Sequence, residues 1–197
     1  MNMKTRRAID LAGFEAKFRA LGDPWQTFTA RDEAIKRERI VRALGNRPVA
    51  RLLELGSGNG SNSQRLAARA LRLDACDGSA SATALTRQAL AGHRHAYAWQ
   101  IALPAALPGD RYDAVVIAEL LYYLSPRNMH RLARDVAAVL TPSGTLVLAH
   151  HQIEFHDSAQ RAAGIHARFV AAMDYGIVRG RRWQNRRWQV EAWNAPR

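Results

Sequence analysis

A chain of 197 residues is the size of one generous domain and leaves no room for a second independent core. Apolar residues make up 48% of it, which argues against disorder, and the longest apolar runs stop well short of the ~18 residues a membrane span needs. Against 17 acidic residues stand 29 basic ones, a net charge of +12 that is almost all arginine, with Lys4, Lys17 and Lys36 the only lysines. Such a balance suits a phosphate- or carboxylate-bearing partner and permits nucleic acid, but arginines that merely solvate helix faces account for it equally simply. Met1 to Arg7 is polar and basic with no apolar stretch behind it, so no secretory signal is expected. The single cysteine, Cys76, makes no internal disulfide and fits a reducing compartment. These features predict a cytoplasmic protein without membrane attachment.

In chain order, residues 8–21 place Ile9, Leu11, Phe14, Phe18 and Leu21 at helical spacing, and Asp23-Pro24 stops that helix. A second helix is predicted from Arg31 to Leu44, with Ile35, Ile40, Val41 and Leu44 inward. Val49 to Leu55 reads as a buried strand that opens into the glycine loop Gly56-Ser57-Gly58-Asn59-Gly60-Ser61. A helix follows with Leu66 and Ala70 on its inner face, then a strand from Leu71 to Cys76 and a helix from Ser79 to Ala91. His95 to Gln100 is a weaker strand. Tyr112 to Ala118 has no polar face over Ala114-Val115-Val116-Ile117, as a central parallel strand requires. Ser125 caps a helix from Pro126 to Leu140, with proline at its first position. Pro142-Ser143-Gly144 turns the chain into a strand from Thr145 to Ala149. A helix around Ser158 to Met173 and a hairpin through Trp183 and Trp188 complete the pattern. Alternating strands and helices of this kind predict a doubly wound α/β sheet.

Strand, glycine loop, helix, strand and terminal acid form the nucleotide-binding half of such a sheet. Glycines let the backbone approach a ligand closely, and Asp77, about 20 residues on, stands where a carboxylate takes both ribose hydroxyls. A dinucleotide fingerprint would need glycine in place of Ser61, whereas the third glycine here is Gly60. No Gly-Lys-Ser/Thr follows, which excludes a P-loop. Glu54 before the loop would repel a phosphate and welcome an ammonium. A ribose with a cationic amino-acid tail and no phosphate describes S-adenosylmethionine, and the motif predicts that cofactor.

Glu54-Leu55-Gly56-Ser57-Gly58-Asn59-Gly60 resembles motif I of the class I S-adenosylmethionine-dependent methyltransferases. Asp23-Pro24-Trp25 and Ala118-Glu119-Leu120-Leu121-Tyr122-Tyr123-Leu124 resemble segments of the NodS-type nodulation methyltransferases, which N-methylate a chitooligosaccharide amine. The resemblance covers about residues 14 to 150. It implies a Rossmann-like sheet of seven strands, the last antiparallel, and one domain over 1–197 with a helical lid at 1–46 and the core at 47–197. It further implies that Gly56, Ser57, Gly58 and Gly60 hold the methionine moiety and that Asp77 holds the ribose. Gly78 and Ser79 would lie beside the adenosine, and Ile101, Ala102 and Leu103 would flank the adenine. Relatives often carry an acid at the position of Ala102, so backbone and apolar contact are expected to replace it. Trp25 would close the pocket, while Glu119 and Leu120 would face the methyl-donor side.

Methyl transfer needs alignment, exclusion of water and an unprotonated acceptor. Tyr123 stands where many small-molecule relatives carry histidine and is expected to position the acceptor rather than act as a base. His150 and His151 end a strand at the ligand side of the sheet and are candidate proton acceptors. The spacing of His150, His151 and His156 matches no zinc pattern, so no metal is expected. The leading reading is a methyltransferase for a small acceptor, amine-bearing or acidic, with nitrogen preferred on the resemblance alone. The alternatives are an RNA methyltransferase, motivated by charge, and a non-catalytic binding module. The Arg- and Trp-rich stretch from Arg179 to Trp188 reads as a packed sheet strand with Trp188, Val190 and Ala192 on one face.

Overall fold

The computed structural model describes residues 8–197, so the expectation for Met1 to Arg7 lies outside the described residues. Seven strands form one sheet in the order β3-β2-β1-β4-β5-β7-β6: β1 Val49–Leu55, β2 Ala70–Asp77, β3 Ala96–Gln100, β4 Tyr112–Ala118, β5 Leu140–His151, β6 Val178–Gln184 and β7 Trp188–Asn194. The first five are parallel, and β7 runs antiparallel to both β5 and β6. This is the seven-stranded α/β sheet expected. Among the described residues six α-helices accompany it: α1 Leu11–Leu21, α2 Arg31–Ala43, α3 Ser61–Ala67, α4 Ala80–Ala89, α5 Pro126–Val139 and α6 Ile165–Met173.

Strand alternation sorts the core into two layers. Leu52, Leu73, Val116, Val147 and Val190 face one side, with Ile40 of α2 and Leu66 of α3. Leu53, Leu55, Val115, Ile117 and Leu148 face the other, with Leu132 and Val136 of α5 and Phe169 of α6. In α5, Ser125 caps as expected: its hydroxyl accepts from the Asn128 N–H at 3.2 Å.

Three local expectations change. Ile35 points outward, 41% exposed, and the buried stripe of α2 is Lys36, Ile40 and Ala43. Ala70 opens β2 rather than ending the preceding helix. Residues 158–164 form bends and turns, and α6 starts only after Gly164, whose left-handed backbone (φ 70°) interrupts any helix arriving from upstream. Pairing also places β7 inside the sheet, so β6 is the exposed edge, studded with Arg179, Arg181 and Arg182.

The sheet order reverses direction between β1 and β4. In register, Leu55 pairs with both Cys76 and Ile117, and Ala118 pairs with Ala149. The residues just beyond these pairs therefore stand level at one end of the sheet: Gly56, Asp77, Glu119 and His150-His151. Open α/β sheets bind ligands at such a switch point.

Candidate active site

A cavity of about 530 Å³ opens at that end. Gly56, Ser57, Gly58, Asp77 and Gly78 form one wall, and Ile101, Ala102 and Leu103 close its side. Glu119, Leu120, Tyr123 and His151 form the opposite wall, and Trp25 covers the top. Four expected site residues do not line it: Glu54, Gly60, Ser79 and His150.

Each absence has a physical cause. Glu54 shares the face of Leu52, turns down into the layer beneath the loop and accepts from the Ser63 hydroxyl at 2.5 Å, completely buried. Burial pushes its carboxyl up to about 8, with the nearby Asp77 charge adding to this and Ser63 opposing it, so near neutral pH it is mainly protonated. It does not present the charge to the cavity that was expected of it. Gly60 is a packing residue. A Cβ there would sit 2.7 Å from Ala89 Cβ and 2.9 Å from Thr86 Cα, and its φ of 85° suits glycine alone. Ser79 is the N-cap of α4, accepting from Ala82 N–H at 3.0 Å and donating its hydroxyl proton to Glu15 at 2.7 Å. His150 and His151 are neighbours on β5 and so point to opposite faces: His150 goes under α6, and His151 goes to the cavity.

The glycine wall is tied together by Asp77. Its Oδ2 accepts from Gly58 N–H and its Oδ1 from Ser79 N–H, both at 2.9 Å. Burial raises its carboxyl despite these bonds. Two bonds leave acceptor capacity free on a side chain that borders the cavity. A Cβ on Gly56 would stand 3.2 Å from Leu120 Cβ, and φ there is 79°. The bare backbone is therefore required where the two walls meet.

The N-terminal segment brings an aromatic cluster to the cavity. Trp25 meets Phe18 edge-on (5.4 Å between centroids) and lies tilted against Phe14 (6.0 Å), and Phe14 meets Tyr123 edge-on at 4.9 Å. Phe14 and Phe18 were visible in the sequence only as the apolar face of a helix. Asp23 shapes the turn that carries Trp25 by accepting from Thr27 N–H (2.7 Å) and Phe28 N–H (3.1 Å). The Thr27 hydroxyl donates to Asn59 of the glycine loop at 3.0 Å, which ties the Trp25 turn to that loop.

The opposite wall holds a charged cluster that sequence reading missed in part. Glu119, in a left-handed conformation at φ 53°, accepts from Lys36 Nζ at 2.5 Å, from the Tyr122 hydroxyl and from His151 N–H at 3.3 Å. Lys36 is only 2% exposed and also donates to Glu33 at 2.9 Å. His151 Nδ1 lies 3.0 Å from Glu119 Oε1. Burial alone would raise the Glu119 carboxyl, but Lys36 and His151 hold it well below its usual range. Burial would lower the Lys36 ammonium, and Glu119 and Glu33 more than offset that. Burial, with the Asp157 and Glu119 charges, pushes Tyr123 far above its ordinary value, so it is no base. The available signal was Lys36 itself, a lysine three residues after an acid in a chain that otherwise uses arginine.

Residues 53–146 match the family described as "Methyltransferase domain". A solved Pseudomonas syringae protein assigned as a methyltransferase is 30% identical, with a TM-score of 0.72, over 84% of this chain and 99% of that one. The chain belongs to the class I S-adenosylmethionine-dependent methyltransferases. Nodulation protein S of Sinorhizobium fredii is 30% identical over 131 residues, which is 65% of this methyltransferase and 60% of that protein, so the chain spans less than two thirds of that relative. The N-methyltransferase NodS of Bradyrhizobium japonicum, solved with S-adenosyl-L-homocysteine, shares the fold at 19% identity, with a TM-score of 0.80 over 95% of this chain and 98% of that one. None of these relatives supports RNA as the acceptor. Among the described residues no helix is long and apolar enough to cross a membrane, and no group of metal-ligating side chains is present.

Proposed function

We propose that this methyltransferase N-methylates a small amine-bearing molecule in the half of the cavity bounded by Glu119, His151 and Tyr123, beneath a lid formed by residues 8–46 over the core at 47–197. The observation that carries the reading is the division of one cavity into a glycine-and-Asp77 wall and a carboxylate-imidazole wall. The likeness to NodS supports nitrogen as the target.

The residues present fit the cofactor. The bare backbone of Gly56, Ser57 and Gly58 suits its amino-acid tail, the free acceptor sites of Asp77 suit ribose hydroxyls, and Ile101, Ala102 and Leu103 offer the apolar slot of an adenine. Bound there, S-adenosylmethionine supplies a methyl group on a sulfonium, which is already a good leaving group. Acid chemistry is thus unnecessary, and the protein's task falls on the acceptor.

An amine enters as an ammonium. Asp32, Glu33 and Glu119 border that half of the cavity with Lys36 and Arg187, leaving one more negative than positive side chain to attract it. His151, whose Nδ1 lies 3.0 Å from Glu119 Oε1 and whose Nε2 lies 3.5 Å from Glu33 Oε1, is the imidazole placed to take a proton from the ammonium and expose the nitrogen lone pair. Tyr123 offers a ring and a hydroxyl to orient the acceptor, and Leu120 presses the floor against Gly56. Trp25, Phe14 and Phe18 keep water out. Calorimetry with S-adenosyl-L-homocysteine, followed by methyl transfer from labelled S-adenosylmethionine to a panel of amines and matching alcohols, tests this reading. Labelling of alcohols alone would overturn the nitrogen assignment, and absence of homocysteine-nucleoside binding would overturn the cofactor site.

A further inference from the structure

Behind the cavity floor, four elements meet in a continuous polar chain. His150 of β5 lies completely buried, and its Nε2 stands 3.1 Å from the Leu121 N–H and 3.3 Å from the Leu120 N–H. Its Nδ1 faces Nε2 of His166 on α6 at 3.0 Å. His166 Nδ1 faces Glu191 Oε2 on β7 at 2.8 Å. The other Glu191 oxygen is met by Arg182 Nε at 3.3 Å and Arg179 Nη1 at 3.6 Å from β6.

This geometry dictates where the protons lie. A backbone N–H only donates, so His150 Nε2 must be the unprotonated nitrogen, and its proton sits on Nδ1. That proton is donated to His166 Nε2, which leaves the His166 proton on Nδ1, pointing at the Glu191 carboxylate. Every polar atom of the three side chains then has a partner, as burial demands. Burial keeps both imidazoles neutral, helped by the Lys36 charge at His150 and the Arg182 charge at His166, against the pull of Glu119 and Glu191.

We propose that Glu191 and His166 are positioning residues that lock His150 in its Nδ1-protonated form, so that its Nε2 anchors the Leu120-Leu121 backbone and through it the placement of Leu120 and Glu119 in the active site. The anchored segment needs such support. Glu119 holds a left-handed backbone that a β-carbon disfavours, and Leu120 is the side chain that a Cβ on Gly56 would meet first. Flipped to Nε2-protonated, His150 would set its ring N–H against two backbone N–H groups and release them. The terminal hairpin thereby acts on the floor of the cavity without touching a ligand. The cofactor arm of the test rests on the methyltransferase reading, whereas the tautomer arm does not.

Proton–nitrogen correlation spectra of the whole protein near neutral pH should show His150 and His166 both neutral and protonated at Nδ1. A proton on Nε2 of His150, or an imidazolium, overturns the proposal whatever the protein binds. Replacement His166→Leu should weaken S-adenosyl-L-homocysteine binding by about tenfold, and Glu191→Leu should do likewise. His166→Gln should restore affinity, because one amide oxygen accepts from His150 while the amide nitrogen donates to Glu191. Wild-type affinity in a folded His166→Leu protein sinks the idea. If that variant fails to fold, loss of affinity in folded His166→Gln, despite intact donor and acceptor, does so instead.

Discussion

Folding buries Lys36 between two carboxylates at the edge of the cavity. Its ammonium neutralises charge that Glu119 and Glu33 would otherwise hold out of water. Lys36→Met should therefore destabilise the protein by about 3–5 kcal/mol, the usual result of leaving a buried charge without its partner. Urea unfolding at neutral pH measures it, and a loss of a few tenths would mean that Glu119 does not depend on Lys36. Asp77→Ala should weaken S-adenosyl-L-homocysteine binding by about 1–3 kcal/mol through lost charge-assisted hydrogen bonds. An unchanged dissociation constant in calorimetry would remove Asp77 from the ribose site. At this scale, legibility depended on parity. The pair His150-His151 announced a site, but only the pairing of β5 with Ala118 and Trp188 decides which ring faces the cavity. Alternation from Leu146 and Leu148, once known to pack under α5 and α6, consigns His150 to that buried side.

The elements around the site are held by a few discrete ties. Glu15 of α1 accepts from the Ser79 hydroxyl, the Ser81 N–H and the Ser81 hydroxyl at the start of α4, and these bonds lower its carboxyl to about 2. Lys17 adds an ion pair to Asp157 at 3.2 Å. Glu15→Ala should loosen α1 while leaving the sheet intact, seen as faster amide hydrogen exchange over Leu11–Leu21 alone. Equal exchange in both proteins would show that aromatic packing suffices to seat the lid. Gly60→Ala should cost about 1–3 kcal/mol in thermal unfolding, since the added methyl meets α4 and the backbone is left-handed. Boundaries of β1 and β4 were readable because each is a short apolar run bounded by turn residues. The inward face of α2 was not. Hydrophobicity favoured Ile35, whereas the lysine beside it is drawn in by Glu33 of its own helix and by Glu119 just beyond β4.

For the whole molecule, buried titratable groups set opposing pH slopes. His150 and His166 are held neutral and Glu119 and Glu191 are held ionised, so the unfolded chain binds more protons than the folded one at acid pH. Their contribution is lost as pH falls, through the imidazole range first and the carboxylate range next. Glu54 works the other way. With its carboxyl raised from 4.5 to about 8, the folded chain keeps a proton the unfolded one has lost, and stability declines as pH rises through that window. The difference amounts to about 5 kcal/mol across the window. Glu54→Gln should flatten the alkaline limb of stability in urea melts between about pH 5 and about pH 9. A limb identical to that of the unmodified protein would show that Glu54 is ionised in the fold.

By itself, the amino-acid sequence determined the alternation of strands and helices, the glycine turn and its cofactor class, because these depend on neighbours within a few residues or on a strand-to-strand spacing of about 20. The tertiary structure alone decided which charges meet. Glu33 and Lys36 come from a helix near the N-terminus, Glu119 from the end of β4 and His151 from the end of β5, and only the sheet order brings them within 4 Å. It also decided that Glu54 turns away from the cavity and that β7, not β6, pairs with β5. Such outcomes belong to long-range packing, where a side chain's environment is set by residues far along the chain rather than by those beside it.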